Sequence, residues 1–508
     1  MKQKIVVVGG GTAGWITLGY LSSTIDADFT IIYSEEVDPI GVGESTTPII
    51  KHITETIGVN EDKWMKAGKA SFKYGIEMMN FNSEGSRWLH SFDDLLPGQT
   101  FETPISEFGK NIFMKETSSV EYFLTQQRKG KKEYDTNFFN QSQGGCDFLL
   151  KNKLSPFSQE NRNNFNRFPG YAYHLNAFEF GNSIRQAIPV EKYTEIKDTV
   201  TDIEIDDTGI KSLKLTCGKK ITADLYIDCT GFKKLLIGKF TKFVKYKGLK
   251  NNSAVWGPVK QPSYRPSTIS SAQPFGWIWE TPTWEQQGSG YVYSNDFITE
   301  DQAITHLRNY WNKKDINWEP LKSIRFESGR LEHMAYKNVI SNGLCQSFIE
   351  PLEATAITVI CVTVRNISKL YNKHNGWTAF SSKILSKAMS NFLEETKDFV
   401  EAHYTLSDRN DTDYWSSYDR VNVVEKVSNI IENKLEREWL LHADTSLNGF
   451  NWASMLIGFN KPYLGKLPKI SDNQLSNYEF YTNQLIQNYE WIYIKNQTVE
   501  QKLRRINS

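Results

Sequence analysis

Three glycines near the start of the chain, Gly9, Gly11 and Gly14, have the spacing G-x-G-x-x-G. That pattern suits the pyrophosphate of a dinucleotide. The first glycine permits a tight turn, the second lets phosphate approach the backbone, and the third lets a helix pack on a strand. Thr12 and Ala13 complete the turn, and a helix opening there would aim its positive end at the phosphates. Glu35, roughly 20 residues on, is the candidate acid for a ribose hydroxyl. A second pair, Trp277 and Trp279, stands one residue apart. On a strand, alternation would put both indoles on one face as an aromatic wall. Taken alone, such a pair is most often core packing.

These residues need elements to hold them. Residues 4–8, Lys-Ile-Val-Val-Val, are apolar and β-branched, which predicts a buried parallel strand leading into the glycine turn. Residues 15–21 read as the helix that follows. Residues 29–33 form a second predicted strand, ending just before Glu35. Two later apolar runs, 223–232 and 338–344, read as further strands, the second reaching Gly343. They favour FAD over NAD. Only one glycine fingerprint is present, whereas dedicated sites for both cofactors would show two. Residues 276–282 form the strand expected to carry the two tryptophans.

Composition narrows the class. The chain has 508 residues, enough for two or three domains or subdomains. Lys plus Arg and Asp plus Glu balance at 59 each, which argues against nucleic acid or an anionic membrane as partner. With 14 Trp, 24 Tyr and 29 Phe, the chain can line a pocket for a planar ligand or fill an aromatic core. Five widely spaced cysteines have no metal-ligand spacing and suit a reduced, cytoplasmic protein. No stretch of ~18 apolar residues predicts a membrane span, and no signal peptide is apparent. No metal pair, serine nucleophile elbow or P-loop is present.

Longer motifs carry a resemblance. The chain resembles the flavin-dependent halogenases, specifically the tryptophan-halogenase-like group. Gly9 to Trp15 is similar to that family's G-G-G-T-A-G-W. Residues 40–48, Ile-Gly-Val-Gly-Glu-Ser-Thr-Thr-Pro, resemble its G-V-G-E-A-T-x-P loop, which adds Gly43 as a cofactor residue. Residues 71–76, Ser-Phe-Lys-Tyr-Gly-Ile, resemble its catalytic-lysine segment. Residues 171–177 follow A-Y-H-x-D-A, with Asn176 for Asp. Residues 276–282 follow G-W-x-W-x-I-P, with Thr281 for Ile. Residues 348–356 follow F-x-E-P-L-E-S-T-G, with Ala354 for Ser and Ala356 for Gly. Residues 447–458 resemble an element that lines the substrate pocket, with Trp452 as a candidate stacking partner or core residue.

The resemblance implies an FADH2-dependent halogenase. Reduced FAD, O2 and a halide (chloride, bromide or iodide) would give hypohalous acid, which travels to a separate pocket and halogenates an electron-rich aromatic of indole or phenol type. Lys73 would polarise or carry the oxidant, and Glu353 would orient it or take the ring proton. Backbone N–H groups of Thr355 and Ala356 would hold the halide, and Trp277 and Trp279 would keep substrate off the flavin. A methyl group at Ala356 would reshape that cradle if the position needed a positive φ. Glu350 reads as structural, and His90 and His174 read as structural or as supports behind the site. An aromatic monooxygenase and a catalytically silent flavoprotein subunit are the alternatives. The implied partners are a separate NAD(P)H-dependent flavin reductase and a second copy of the chain in a homo-oligomer. The implied fold is α/β: an FAD-binding Rossmann-like core of the flavin monooxygenase and glutathione reductase kind, a mixed β-sheet layer, and a mainly helical substrate-capping subdomain. The expected boundaries are 1–82 with 168–375 for the FAD module, and 83–167 with 376–508 for the cap. Residues 382–404 are predicted to form an amphipathic helix in that tail.

Overall fold

A computed structural model describes residues 2–35, 44–92, 119–143, 145–158, 170–316, 318, 320, 322–441, 447–493 and 496–508. The chain forms two compact units, each assembled from three separate segments. Residues 1–70, 172–252 and 324–397 make the first. Residues 71–171, 253–323 and 398–508 make the second.

The first unit is built on a six-stranded sheet. Its order is Ala335–Tyr336, Val339–Ser341, Leu225–Asp228, Lys4–Val8, Asp28–Tyr33 and Tyr193–Lys197. All neighbours are parallel except the edge pair Ala335–Tyr336 and Val339–Ser341. Ile5, Val6, Val7 and Val8 are buried, as a strand covered on both faces requires. Helix Thr12–Thr24 leaves the glycine turn, and small residues let its neighbours approach. A Cβ on Gly19 would lie 3.1–3.3 Å from Ile57, Ile184 and Ile188. Helix Thr355–His374 closes the same layer, with Thr358 Oγ1 2.6 Å from Thr47 Oγ1.

The second unit carries a larger mixed sheet. Strands Ser253–Val259, Gln287–Tyr293, Gly276–Pro282, Thr268–Gln273, Gly75–Met79 and Arg87–Ser91 lie in that order. Only the pair Thr268–Gln273 and Gly75–Met79 is parallel among these. Helix Glu300–Asn312 packs one face, where Ile278, Tyr291, Leu307 and Trp311 form a core cluster. Ile278 lies between the two tryptophans, so alternation sends Trp277 and Trp279 to the opposite face.

The domain division differs from the sequence expectation. Residues 71–82 and 253–323 join the second unit, because Gly75–Met79 pairs along Thr268–Gln273. Residues 376–397 join the first. There the start of helix Ala379–Thr405 bonds to its strands and loops: Ser386 Oγ accepts from Met334 N at 3.2 Å, and Arg330 pairs with Glu394 at 2.6 Å. The predicted helix at 382–404 lies within Ala379–Thr405. The insert holds helices Ser119–Arg128, Thr136–Gln143 and Cys146–Lys151, and strand Leu154–Ser158 pairs with Asn496–Thr498. Among the described residues no helix is long and apolar enough to cross a membrane.

Candidate active site

The glycine turn has the shape its spacing requires. Gly9 has φ 124°, a left-handed conformation, and a Cβ there would sit 2.3 Å from Cys229 O. A Cβ on Gly14 would strike Gly9 O at 1.9 Å, so the helix can close on the strand only without one. At Gly11 nothing lies within 4 Å of a Cβ, which leaves that backbone open to a phosphate. Helix Thr12–Thr24 starts at Gly11 with no side-chain cap, so its first N–H groups remain available to an anion. Gly343, with φ 75°, closes in from the neighbouring strand end, where a Cβ would lie 2.7 Å from Ala13 Cβ. This cradle fits a dinucleotide pyrophosphate. Gly43 lies outside the described residues. Glu35 stands past the end of the second strand, 62% exposed, with its carboxylate 2.6 Å from Lys197 Nζ.

A second helix start without a side-chain cap lies in the same unit. Pro351–Glu353 forms a 3-10 turn, Ala354 takes φ 56°, and the 20-residue helix Thr355–His374 begins without a side-chain cap. The N–H groups of Thr355 and Ala356 therefore head a long helix with no intrahelical partner. The left-handed residue is Ala354 and not Ala356. Ala356 sits in the first helical turn, where a methyl group costs nothing. The position with positive φ therefore lies two residues before Ala356. Glu353 is buried at the end of the turn. Glu350 is buried too, and its Oε2 accepts from Asn251 Nδ2 at 2.6 Å, which anchors the turn.

Glu44 was not singled out from the sequence. It pairs with Leu175 in a short antiparallel ladder, and Thr46 next to it bonds Tyr173 O through both N and Oγ1 at 2.9 Å. Burial pushes its carboxyl up to about 7. A group that exchanges a proton near neutrality therefore stands in the loop that Thr47 ties to helix Thr355–His374.

The second unit supplies the lysine and the aromatics. Lys73 is fully buried on strand Ser71–Lys73, and its Nζ lies 5.0 Å from the Phe92 ring centroid. An ammonium over an aromatic face is held by the ring quadrupole. Trp277 and Trp279 are buried, with ring centroids 6.1 Å apart. Trp279 lies flat across the facing strand, because its partner in register is Gly290. A Cβ there would be 2.2 Å from Trp279 Cη2. Farther along the unit, His90 meets Phe399 at 5.5 Å and Asn451 Nδ2 at 3.1 Å. Phe399 meets Trp452 edge-on at 5.0 Å. Trp452 is buried among aromatics, yet its Nε1 has no hydrogen-bond partner among the described residues.

The sequence candidates thus fall into two sets. Gly9, Gly11, Thr12, Ala13, Gly14, Glu35, Gly343, Glu353, Thr355 and Ala356 belong to the first unit. Lys73, Trp277, Trp279 and Trp452 belong to the second. Phe92 was missed. The signal was the aromatic two residues after His90, just past the strand Arg87–Ser91, where Phe92 N donates to Tyr74 O at 2.8 Å. His174 is buried in the ladder, opposite Ser45.

The tryptophan halogenase family profile matches residues 4–469. Tryptophan 6-halogenase ThaL of Streptomyces albogriseolus is 30% identical over 448 residues, covering 85% of this chain and 81% of its own. Tryptophan 7-halogenase RebH of Lentzea aerocolonigenes is 29% identical, covering 81% and 78%. The solved tryptophan halogenase from Shewanella frigidimarina superposes with a TM-score of 0.84 at 24% identity, over 100% of this chain and 98% of its own. The latter likeness establishes the Rossmann-like α/β fold.

Proposed function

Because the chain belongs to the tryptophan halogenase family, we propose that it uses reduced FAD, O2 and a halide to halogenate a small electron-rich aromatic of indole or phenol type. The observation that carries this reading is Lys73: a fully buried ammonium set against an aromatic ring, on the strand segment beside the sheet that holds Trp277 and Trp279.

Each device has its residues. Gly9, Gly11, Thr12, Ala13, Gly14, Gly43 and Gly343 hold the cofactor, whose bound reduced form supplies the two electrons that activate O2. The N–H groups of Thr355 and Ala356 hold the halide. Trp277 and Trp279 exclude substrate from the flavin. Lys73 donates a hydrogen bond to the oxygen of hypohalous acid and so makes the halogen electrophilic. The ring carbon takes the halogen, the departing hydroxide takes a proton from the Lys73 ammonium and leaves as water, and Glu353 accepts the ring proton, which then returns to Lys73. Trp452 supports substrate through its aromatic edge and free N–H. A separate NAD(P)H-dependent flavin reductase supplies FADH2, consistent with one glycine fingerprint.

Lys73→Ala should abolish aryl halogenation while FADH2 oxidation continues. A panel of chloride, bromide and iodide against tryptophan, indole and phenols, read by mass spectrometry, tests both the activity and the substrate. Normal halogenation by the variant would overturn the role of Lys73. A hydroxylated product indifferent to halide would overturn the halogenase reading in favour of a monooxygenase.

A further inference from the structure

In dinucleotide folds of this kind an acidic residue ends the second strand and binds the adenosine ribose. Here the second strand ends in Tyr33. Gly9 N donates to Ile32 O at 2.8 Å, which fixes the next residue, Tyr33, beside the glycine turn. The Tyr33 ring covers that turn so closely that a Cβ on Gly10 would lie 2.5 Å from Tyr33 Cγ. Glu35 lies two residues farther out, exposed and paired with Lys197. The strand-end position therefore holds a phenol and no carboxylate.

A carboxylate reaches the same place from the adjacent strand. Tyr193–Lys197 runs parallel to Asp28–Tyr33, with Ile31 opposite Glu195 and Tyr33 opposite Lys197. The Tyr33 hydroxyl donates to Glu195 Oε1, and Arg185 Nη2 donates to the same oxygen at 2.6 Å. Arg185 is held over Trp15 at 5.1 Å, and Trp15 meets Tyr33 edge-on at 5.6 Å. Both donors converge on Oε1, so Oε2 remains available to an incoming hydroxyl. The Glu195 side chain is 24% exposed and thus reachable.

We propose that Glu195, held by Tyr33 and Arg185, accepts hydrogen bonds from the adenosine ribose hydroxyls of FAD in place of the missing strand-end acid. This rests on the flavin reading above. Charge-assisted hydrogen bonds are about twice as strong as neutral ones. Glu195→Gln should therefore weaken FAD and ADP binding roughly fivefold or more and leave FMN binding unchanged, since FMN lacks adenosine. Tyr33→Phe, which frees the carboxylate to turn, should give a smaller loss of the same selectivity. Tyr33→Glu in the Glu195→Gln background should recover ADP affinity, because it restores an acid at the strand end. Binding is read by calorimetry on the full chain, with thermal unfolding of each variant alongside. Unchanged FAD and ADP affinity in Glu195→Gln, or an equal loss for FMN, would overturn the assignment. Wild-type protein that binds neither FAD nor ADP would overturn the flavin reading itself, and the assignment with it.

Discussion

Gly290 gives the tryptophan wall its geometry, and replacing it tests the wall directly. The Cβ of Gly290→Ala would appear 2.2 Å from Trp279 Cη2, 2.5 Å from Cζ2 and 2.6 Å from Trp256 Cβ. Carbon atoms rest about 3.5–4.0 Å apart, so the indole must retreat by roughly 1.5 Å. Neither neighbour is a flexible chain end: Trp256 and Trp279 are both buried side chains on sheet strands. The backbone at Gly290 has no left-handed φ, so the penalty is one of packing and not of torsion. Overpacking of this kind costs about 1–3 kcal/mol. Urea or thermal unfolding should show that loss. The displaced indole should also let more oxidised halogen escape, read as halogen trapped by a soluble diketone per O2 consumed. In a Trp279→Phe background the ring atoms that clash are gone, so the penalty of Gly290→Ala should shrink. Unfolding and leakage equal to wild type would refute the idea that Trp279 lies across Gly290.

Two further tests address the first unit. The folded chain holds the Glu44 proton up to about pH 7, whereas the ordinary carboxyl value is 4.5. Between those values the folded state binds more protons. The stability that Glu44 contributes is therefore full below pH 4.5 and is lost as pH rises to about 7, by up to roughly 3 kcal/mol. Glu44→Gln should flatten that slope in melts from pH 5 to 8, and an unaltered slope would refute the assignment. Ala354→Gly should leave stability unchanged or raise it by up to about 1 kcal/mol, since it relieves a left-handed alanine at some cost in chain entropy. Ala356→Gly should lower stability by about 0.5–1 kcal/mol, because that residue is helical. Thermal unfolding that ranks the pair the other way would mislocate the strained position.

Much of this was legible in the sequence because it is local. Strand Lys4–Val8 follows from a β-branched run, the turn after it from three glycines, and the placement of both tryptophans on one face from a period of two. What was hidden depends on partners far along the chain. The full burial of Lys73 and its contact with Phe92 arise from tertiary packing, which no spacing within residues 71–76 encodes. Glu35 looked like the ribose acid by its distance from the glycines, yet the strand stops at Tyr33, and the carboxylate we propose for that role, Glu195, stands some 160 residues later. The domain boundaries were misplaced for the same reason. Residues 71–82 continue the first segment in sequence, but residues 76–79 pair with residues 268–271. Ala354 shows a further limit: its departure from the family's serine was visible, and its left-handed backbone was not.

The threefold assembly of each unit has a consequence for synthesis. Strand Lys4–Val8 emerges first, but its neighbour Leu225–Asp228 follows more than 200 residues later, and the next strand out, Val339–Ser341, later still. At about 5–20 residues per second, the ribosome needs on the order of half a minute before the sheet can be completed. Through that interval an apolar strand waits with one edge unpaired, and neither unit can be produced as one contiguous fragment. Chaperone demand during expression should therefore track the delay to residue 341, and truncations that end before it should aggregate.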